Sequence, residues 1–404
     1  MPLPIFLLIC IAAIVGLCIA EFAFHRRNLA RVPIRIHVNG TRGKSSVVRL
    51  VAGALRAHGV RVCAKATGSL PRMIMPDGAE YPIHRAGYPN IIEHLRIIGV
   101  AAREGAEALV IECMALQPQL QSLSELMMVR STHGVITNAR ADHLDVMGPG
   151  ERDVALALLG SCPSEALLFT AEQGFRVEFE QACRDRGTRL VRLDPADFEA
   201  IDDAEMARFP YVEHKQNVAL ALALARELGV TREVALQGMI EAAPDVGALR
   251  EYQLDFFGRR ILLVNGFAAN DPISTEQIWN LTLARHPHVE RRIMVVNCRF
   301  DRPDRSRQLG EAIPRWHPAD RYMLVGSGTY VFARTAVAAG LSAGLLYPLE
   351  GADRASVFEE IVGACGRSSL VMGVGNIGGM GLELLRHFRN RARPDGPEIE
   401  GARQ

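Results

Sequence analysis

His37-Val-Asn-Gly-Thr-Arg-Gly-Lys-Ser-Ser46 decides how this chain is read. The apolar run Ile34 to Val38 predicts a strand leading into it, and Val47 to His58 predicts a helix leading out. A glycine-bounded turn between a strand and a helix presents backbone N–H groups to an anion at the positive end of the helix dipole. Gly40, Thr41, Arg42 and Gly43 form that turn, Lys44 brings a point charge to the outer phosphates of a nucleotide, and Ser45 and Ser46 supply hydroxyls, Ser45 toward Mg²⁺. The pattern G-x-x-x-x-G-K-[ST] would require glycine at position 38, where the chain has Val38, so this is not a standard Walker A loop.

Composition sets the wider limits. A chain of 404 residues, 49% hydrophobic, can bury a full core and predicts two to three domains. A net charge of +1 gives no bulk basic field and argues against a nucleic-acid partner. Lys44, Lys65 and Lys215 are the only lysines. The eight cysteines include no C-x-x-C pair, which fits a reduced, cytosolic catalytic portion better than a disulfide framework or a zinc site.

From Leu3 to Ala20 no side chain is charged or strongly polar. As a helix this run measures about 27 Å, roughly one hydrocarbon core. A cleaved signal peptide is the rival to a membrane anchor, but no basic residue precedes the apolar run and no clear small-x-small cleavage site follows it. Arg26, Arg27, Arg31 and Arg35 come after it, so the positive-inside rule places the remainder of the chain in the cytoplasm, where ATP is.

Beyond the phosphate loop, strand and helix patterns alternate: Val60 to Lys65 and Ala108 to Cys113 as strands, Ile91 to Arg103 as a helix, and Gly134 to Asn138 as a strand. That alternation predicts an α/β fold with a mostly parallel sheet, whose ligands sit beyond the carboxyl ends of the strands. Glu112 ends one such strand, and Asn138 ends the next, followed by Arg140, Asp142, His143 and Asp145. The phosphate loop and the segment Thr137-Asn-Ala-Arg-Ala-Asp-His-Leu-Asp145 resemble motifs of the Mur ligase superfamily, ATP-dependent enzymes that join an activated carboxylate to an amine. By that resemblance Glu112 and His143, with Ser45, are metal ligands. Mg²⁺ favours oxygen donors, so the histidine rests on the family match. His214-Lys-Gln-Asn-Val-Ala-Leu-Ala-Leu-Ala223 is similar to the family's N-x-x-A-x-A segment, which makes Asn217 the residue that meets adenine. The family's carbamoylated lysine has no convincing counterpart, since Lys215 is the only lysine downstream of Lys65, and the use of a modified lysine stays open.

Pro244-Asp-Val-Gly-Ala-Leu-Arg250 reads as a hinge, and Arg250 matches the arginine that follows the family's domain junction and reaches the nucleotide phosphates. In the second α/β domain the strand Ile261 to Asn265 leads into Gly266-Phe-Ala-Ala-Asn-Asp-Pro272, with Asn270 a substrate candidate and Asp271 a nucleotide candidate. The strand Ile293 to Asn297 leads into a loop carrying Arg299, Arg302, Arg305 and Arg307. Guanidinium groups suit repeated carboxylates, and a solvated basic surface is the plainer reading of the same loop. Gly373-Val-Gly-Asn-Ile-Gly378, after an apolar strand from Ser369 to Val371, satisfies a dinucleotide fingerprint but lacks the further strand and acidic residue, so its glycines read as packing sites.

The N-terminal anchor, the phosphate loop, Lys65-Ala-Thr-Gly-Ser69, Phe267-Ala-Ala-Asn-Asp-Pro272, Asn297-Cys-Arg299 and Gly375-Asn-Ile-Gly-Gly379 together resemble the PgsB/CapB ligase family of bacterial poly-γ-glutamate synthases. The resemblance implies an ATP- and Mg²⁺-dependent amide ligase that phosphorylates the γ-carboxylate at the end of a growing poly-γ-glutamate chain and joins it to the amine of glutamate. It implies a small multi-span membrane subunit and a surface-exposed subunit as partners, and leaves homo-oligomerisation open. Lys65 is a further substrate candidate. The expected organisation is an anchor at residues 1–30, a Mur-ligase-like P-loop central domain at 31–245, a smaller Rossmann-like α/β domain at 246–390 and a polar tail at 391–404. Two rival functions fit part of the pattern: another Mur-type amino-acid ligase, such as a folylpolyglutamate synthase or a cell-wall ligase, and a non-catalytic membrane-tethered nucleotide-binding scaffold.

Overall fold

The computed structural model describes residues 3–68, 70–85, 89–211, 213–245, 251–267, 269 and 272–391. The chain forms two compact units, Met1–Asp245 and Val246–Gln404. Ahead of the first sheet, helix α1 (Leu3–Arg31) carries the apolar segment, with a mean hydropathy of 3.0 over its most apolar window and none of that window buried. The helix continues without a break past Ala20, and its last turns dock on the first unit through buried His25, Asn28 and Leu29. His25 Nε2 lies 2.9 Å from the Met128 carbonyl oxygen. Arg35, counted among the flanking positive charges, is turned inward instead, and donates to the carbonyls of Val32, Val129 and Arg130.

The first unit is built on an eight-stranded sheet of β1 (Ile34–Asn39), β2 (Val62–Ala66), β3 (Arg72–Ile74), β4 (Glu80–Pro82), β5 (Ala108–Glu112), β6 (His133–Ile136), β7 (Leu167–Thr170) and β8 (Arg189–Arg192), in the order β4-β3-β2-β5-β1-β6-β7-β8. The pairs from β2 to β8 are parallel, and β3 and β4 add an antiparallel edge. β2 and β5 are buried along their whole length, as strands covered on both faces must be. Helix α2 (Lys44–Ala57) follows the phosphate loop and buries Val47, Val48, Leu50, Val51, Ala54 and Leu55. Helix α3 (Glu93–Arg103) starts two residues after the point its apolar pattern suggests.

The second unit holds a six-stranded sheet of β9 (Glu251–Phe256), β10 (Arg259–Asn265), β11 (Arg291–Cys298), β12 (Arg321–Gly326), β13 (Leu346–Pro348) and β14 (Ser368–Gly375), in the order β13-β12-β11-β14-β10-β9. Only the β9–β10 pair is antiparallel. The fingerprint glycines Gly373 and Gly375 lie within β14, not beyond it. A Cβ on Gly373 would sit 2.2 Å from the Phe267 ring, so this glycine serves close packing.

Candidate active site

β1 is central in the first sheet, with Val38 opposite Glu112 of β5 and Asn39 opposite Ile136 of β6. The phosphate loop, Glu112 and the segment from Thr137 therefore leave the sheet at the same edge, at the carboxyl ends of parallel strands. Asn39 shapes the start of the loop: its Oδ1 accepts from Gly40 N–H at 2.8 Å and its Nδ2 donates to Gln121 Oε1 at 2.7 Å. Asn138 clamps the middle, accepting from Thr41 Oγ1 at 2.6 Å and from Arg42 N–H at 3.1 Å. The bonds of Asn39 to Gln121 and of Asn138 to Thr41 and Arg42 were not legible in the local pattern, because the partners are far apart in the chain. Gly40 (φ +133) and Gly43 (φ +82) adopt conformations that favour glycine. A Cβ on Gly40 would lie 2.0 Å from Thr137 Oγ1, and one on Gly43 would lie 2.5 Å from Asn217 Oδ1.

Lys44 opens α2 and folds over the loop, its Nζ donating to the carbonyls of Gly40 at 2.6 Å and Thr41 at 3.3 Å. Ser45 Oγ donates to Glu112 Oε2 at 2.8 Å, and Thr67 N–H donates to the same oxygen at 2.6 Å. Glu112 is buried, yet it borders a pocket of about 200 Å³ whose lining also includes Gly40, Thr41, Lys44, Asp142 and His143. His143 heads the short helix Leu144–Met147 with φ 47, a left-handed value uncommon outside glycine. Its Nε2 is 3.9 Å from Asp142 Oδ1, and Asp142 Oδ2 accepts from Arg42 Nη1 at 2.9 Å. Pro89, Met114, Ala115, Leu116 and Met147 supply apolar lining to the same pocket.

Among the described residues no group of three or more His, Cys, Asp and Glu gathers into a metal cage. The Glu112 carboxylate and the His143 ring border the pocket, and the Ser45 hydroxyl is bonded to that carboxylate, a donor set that fits a hard divalent cation that keeps waters and takes further oxygens from phosphate.

Several expected residues stand elsewhere. Lys65 is fully buried in β2, its Nζ 2.9 Å from Glu93 Oε1 and donating to Met114 Sδ at 3.2 Å, so it stands behind the pocket wall and not on it. Burial pushes its pKa down, against the pull of Glu93. Asn217 is also buried, and its Nδ2 donates to Glu213 Oε1 at 2.8 Å. Its Oδ1 lies against Gly43, so the side chain backs the phosphate loop. The arginine-rich loop is largely a helix, Pro303–Ala312, with Arg305 and Arg307 in its first turns. Arg299 is paired with Asp301 and Arg307 with Asp304, while Arg305 Nη1 donates to Asn376 Oδ1 at 2.7 Å, so the four do not make one exposed basic surface. Arg250, Asn270 and Asp271 lie outside the described residues.

Comparison with known proteins places this geometry. The Mur ligase middle domain model matches residues 38–159, and the poly-gamma-glutamate synthase CapB C-terminal domain model matches residues 251–391. The chain is 34% identical to the capsule biosynthesis protein CapB of Bacillus anthracis, over 92% of this chain and 82% of that protein. It is 33% identical to the PGA synthase CapB of Bacillus subtilis (strain 168), over 94% of this chain and 96% of that one.

The chain belongs to the CapB family.

The fold is shared more widely than the family. The bifunctional folylpolyglutamate synthase/dihydrofolate synthase of Yersinia pestis complexed with AMPPNP and Mn ion superposes with a TM-score of 0.65 at 15% identity, covering 92% of both chains. The Mycobacterium tuberculosis folylpolyglutamate synthase complexed with ADP and AMPPCP gives 0.67 at 14% identity, covering 91% of this chain and 94% of that one. In this CapB-family chain the Mur-type match spans the strand, loop and carboxylate that border the pocket, and the family-specific match covers the second unit.

Proposed function

We infer that the chain is the ATP-dependent amide ligase of poly-γ-glutamate synthesis. The contact of Ser45 with Glu112, which lines one pocket with Lys44 and His143, is the observation that carries the assignment. Family membership supplies the polymer, and a bifunctional folylpolyglutamate synthase/dihydrofolate synthase of the same fold is known with Mn, AMPPNP and L-glutamate bound.

The chemistry required is activation of a poor electrophile. Transfer of the γ-phosphoryl group of ATP to the carboxylate at the acceptor's end gives an acyl phosphate, and the amine of glutamate then displaces phosphate to form the amide. The backbone of Gly40 to Ser45 and the ammonium of Lys44 hold the phosphates and offset charge on the group in transit. Ser45, Glu112 and His143 would hold Mg²⁺, which when bound would supply further charge neutralisation on the phosphate oxygens. Asn39 and Asn138 keep the loop in shape. By the family resemblance Arg250 and Asp271 are nucleotide-binding candidates, and Asn270, Arg299, Arg302 and Arg305 substrate candidates. α1 anchors the protein in the cell membrane with both units in the cytoplasm, beside a small multi-span subunit and a surface-exposed subunit of the synthase.

Full-length protein in detergent, supplied with ATP, Mg²⁺, glutamate and a short γ-linked glutamate oligomer, is expected to release ADP in an acceptor-dependent manner and, with hydroxylamine, to yield the acceptor hydroxamate. ADP release indifferent to acceptor and glutamate, with no hydroxamate, would overturn the ligase reading in favour of a nucleotide-binding scaffold.

A further inference from the structure

Arg85 lines the same pocket as Lys44 and Glu112, and no motif identified it. Its Nε donates to Glu93 Oε2 at 2.7 Å and its Nη2 to Glu93 Oε1 at 3.0 Å, a bidentate pair. Glu93, at the start of α3, also meets buried Lys65 at 2.9 Å. The side chains of Lys65, Glu93 and Arg85 are 0%, 9% and 21% exposed, so the three run outward from the sheet interior to the pocket.

Lys65 already pairs with Glu93 in the interior, and Glu112 also acts on the lysine's charge. Arg85 is a second cation on Glu93, and of the three it is the one that lines the pocket. With Nε and Nη2 held by Glu93, Nη1 remains for a ligand, and the planar guanidinium is fixed before any ligand arrives. The ligand it suits is a carboxylate, and Met114, Met147, Leu116 and Pro89 of the pocket suit a short methylene chain beside it.

We propose that Arg85 binds the α-carboxylate of the terminal glutamyl residue of the acceptor while the γ-carboxylate of that residue lies at Lys44 for phosphorylation, with Glu93 and Lys65 as positioning residues. The proposal rests on the ligase reading above. It makes Arg85 the residue that separates a glutamyl end, with two carboxylates, from an end with one.

The test compares a γ-linked glutamate dimer with the dimer ending in γ-aminobutyrate, which keeps the reacting carboxylate and lacks the α-carboxylate. Wild-type protein is expected to favour the glutamate-terminated dimer in kcat/KM by about 10- to 100-fold, the range of one hydrogen-bonded charge contact. Arg85→Gln should abolish that preference by raising KM for the glutamate-terminated dimer alone, with ATP affinity and thermal unfolding unchanged, and Arg85→Lys should recover part of it. Glu93→Gln should weaken the same preference without altering KM for ATP. Retention of full preference in folded Arg85→Gln, or equal losses for both dimers, would overturn the proposal. Absence of acceptor-dependent ADP release in wild-type protein would instead remove the ligase reading itself.

Discussion

Ser45 Oγ and Glu112 Oε2 are 2.8 Å apart, which brings the hydroxyl at the head of α2 into contact with the carboxylate that ends β5. Two oxygen donors from separate elements are thus held together at the edge of the phosphate loop. This is the arrangement a hard cation needs if it is to bridge protein and phosphate.

Glu112→Gln keeps the shape and removes the charge, so it should raise the Mg²⁺ concentration for half-maximal ADP release by about tenfold or more. His143→Ala should shift it in the same direction. Titrating Mg²⁺ at saturating ATP reads both, and an unchanged requirement in the two variants would leave these residues with a structural role only.

Lys44→Ala should leave the fold intact, because its Nζ contacts only loop carbonyls at the pocket. Turnover should fall by the loss of one charge-assisted contact to the transferring group, on the order of 3–4 kcal/mol. Steady-state ADP release, with circular dichroism to establish folding, tests it, and near-normal turnover would remove Lys44 from the reaction.

His37, fully buried in β1, faces Glu125 with Nδ1 2.7 Å from Oε2. Burial opposes its charged form, but the Cys113 thiol and the Glu125 carboxylate beside the ring overcome this and raise its pKa from 6.5 to about 9. A pKa higher in the folded state means that the protonated pair stabilises the fold below pH about 6.5, and that this contribution is lost as pH rises through about 9. Chemical-denaturation midpoints should therefore fall between pH 6.5 and 9.5 in wild type. His37→Gln should flatten that slope; an equally steep decline in the variant would assign it to other groups.

Arg302→Gln combined with Arg305→Gln should raise the apparent KM for poly-γ-glutamate, more steeply at low salt, with little change for ATP. Because Arg305 also holds Asn376, the single Arg305→Gln variant should lower the melting temperature as well. Initial rates at two salt concentrations decide the matter, with unchanged KM values pointing to a packing role for both residues.

The exposed apolar face of α1 should keep the protein in the membrane fraction through carbonate washing, and a cytoplasm-dependent reporter fused after Gln404 should be active. A shortened soluble product would point to cleavage after the apolar run.

The sequence by itself determined what is local. Strand, glycine turn, lysine and hydroxyl lie within a few residues of one another, so the phosphate loop, the alternating α/β pattern and the apolar helix follow from spacing and side-chain chemistry alone. Tertiary structure decided which side chains meet. Asn138 reaches Thr41 across 97 residues and Ser45 reaches Glu112 across 67, and both contacts exist because parallel strands end at one edge of the sheet. Lys65, in a family-like segment, is carried into the interior by the pairing of β2 with β5, and Arg85, in no motif, is brought to the pocket by its bond to Glu93. Burial and partnership are set by chain segments distant in sequence, and they decide whether a charge is spent inside the fold or offered to a ligand.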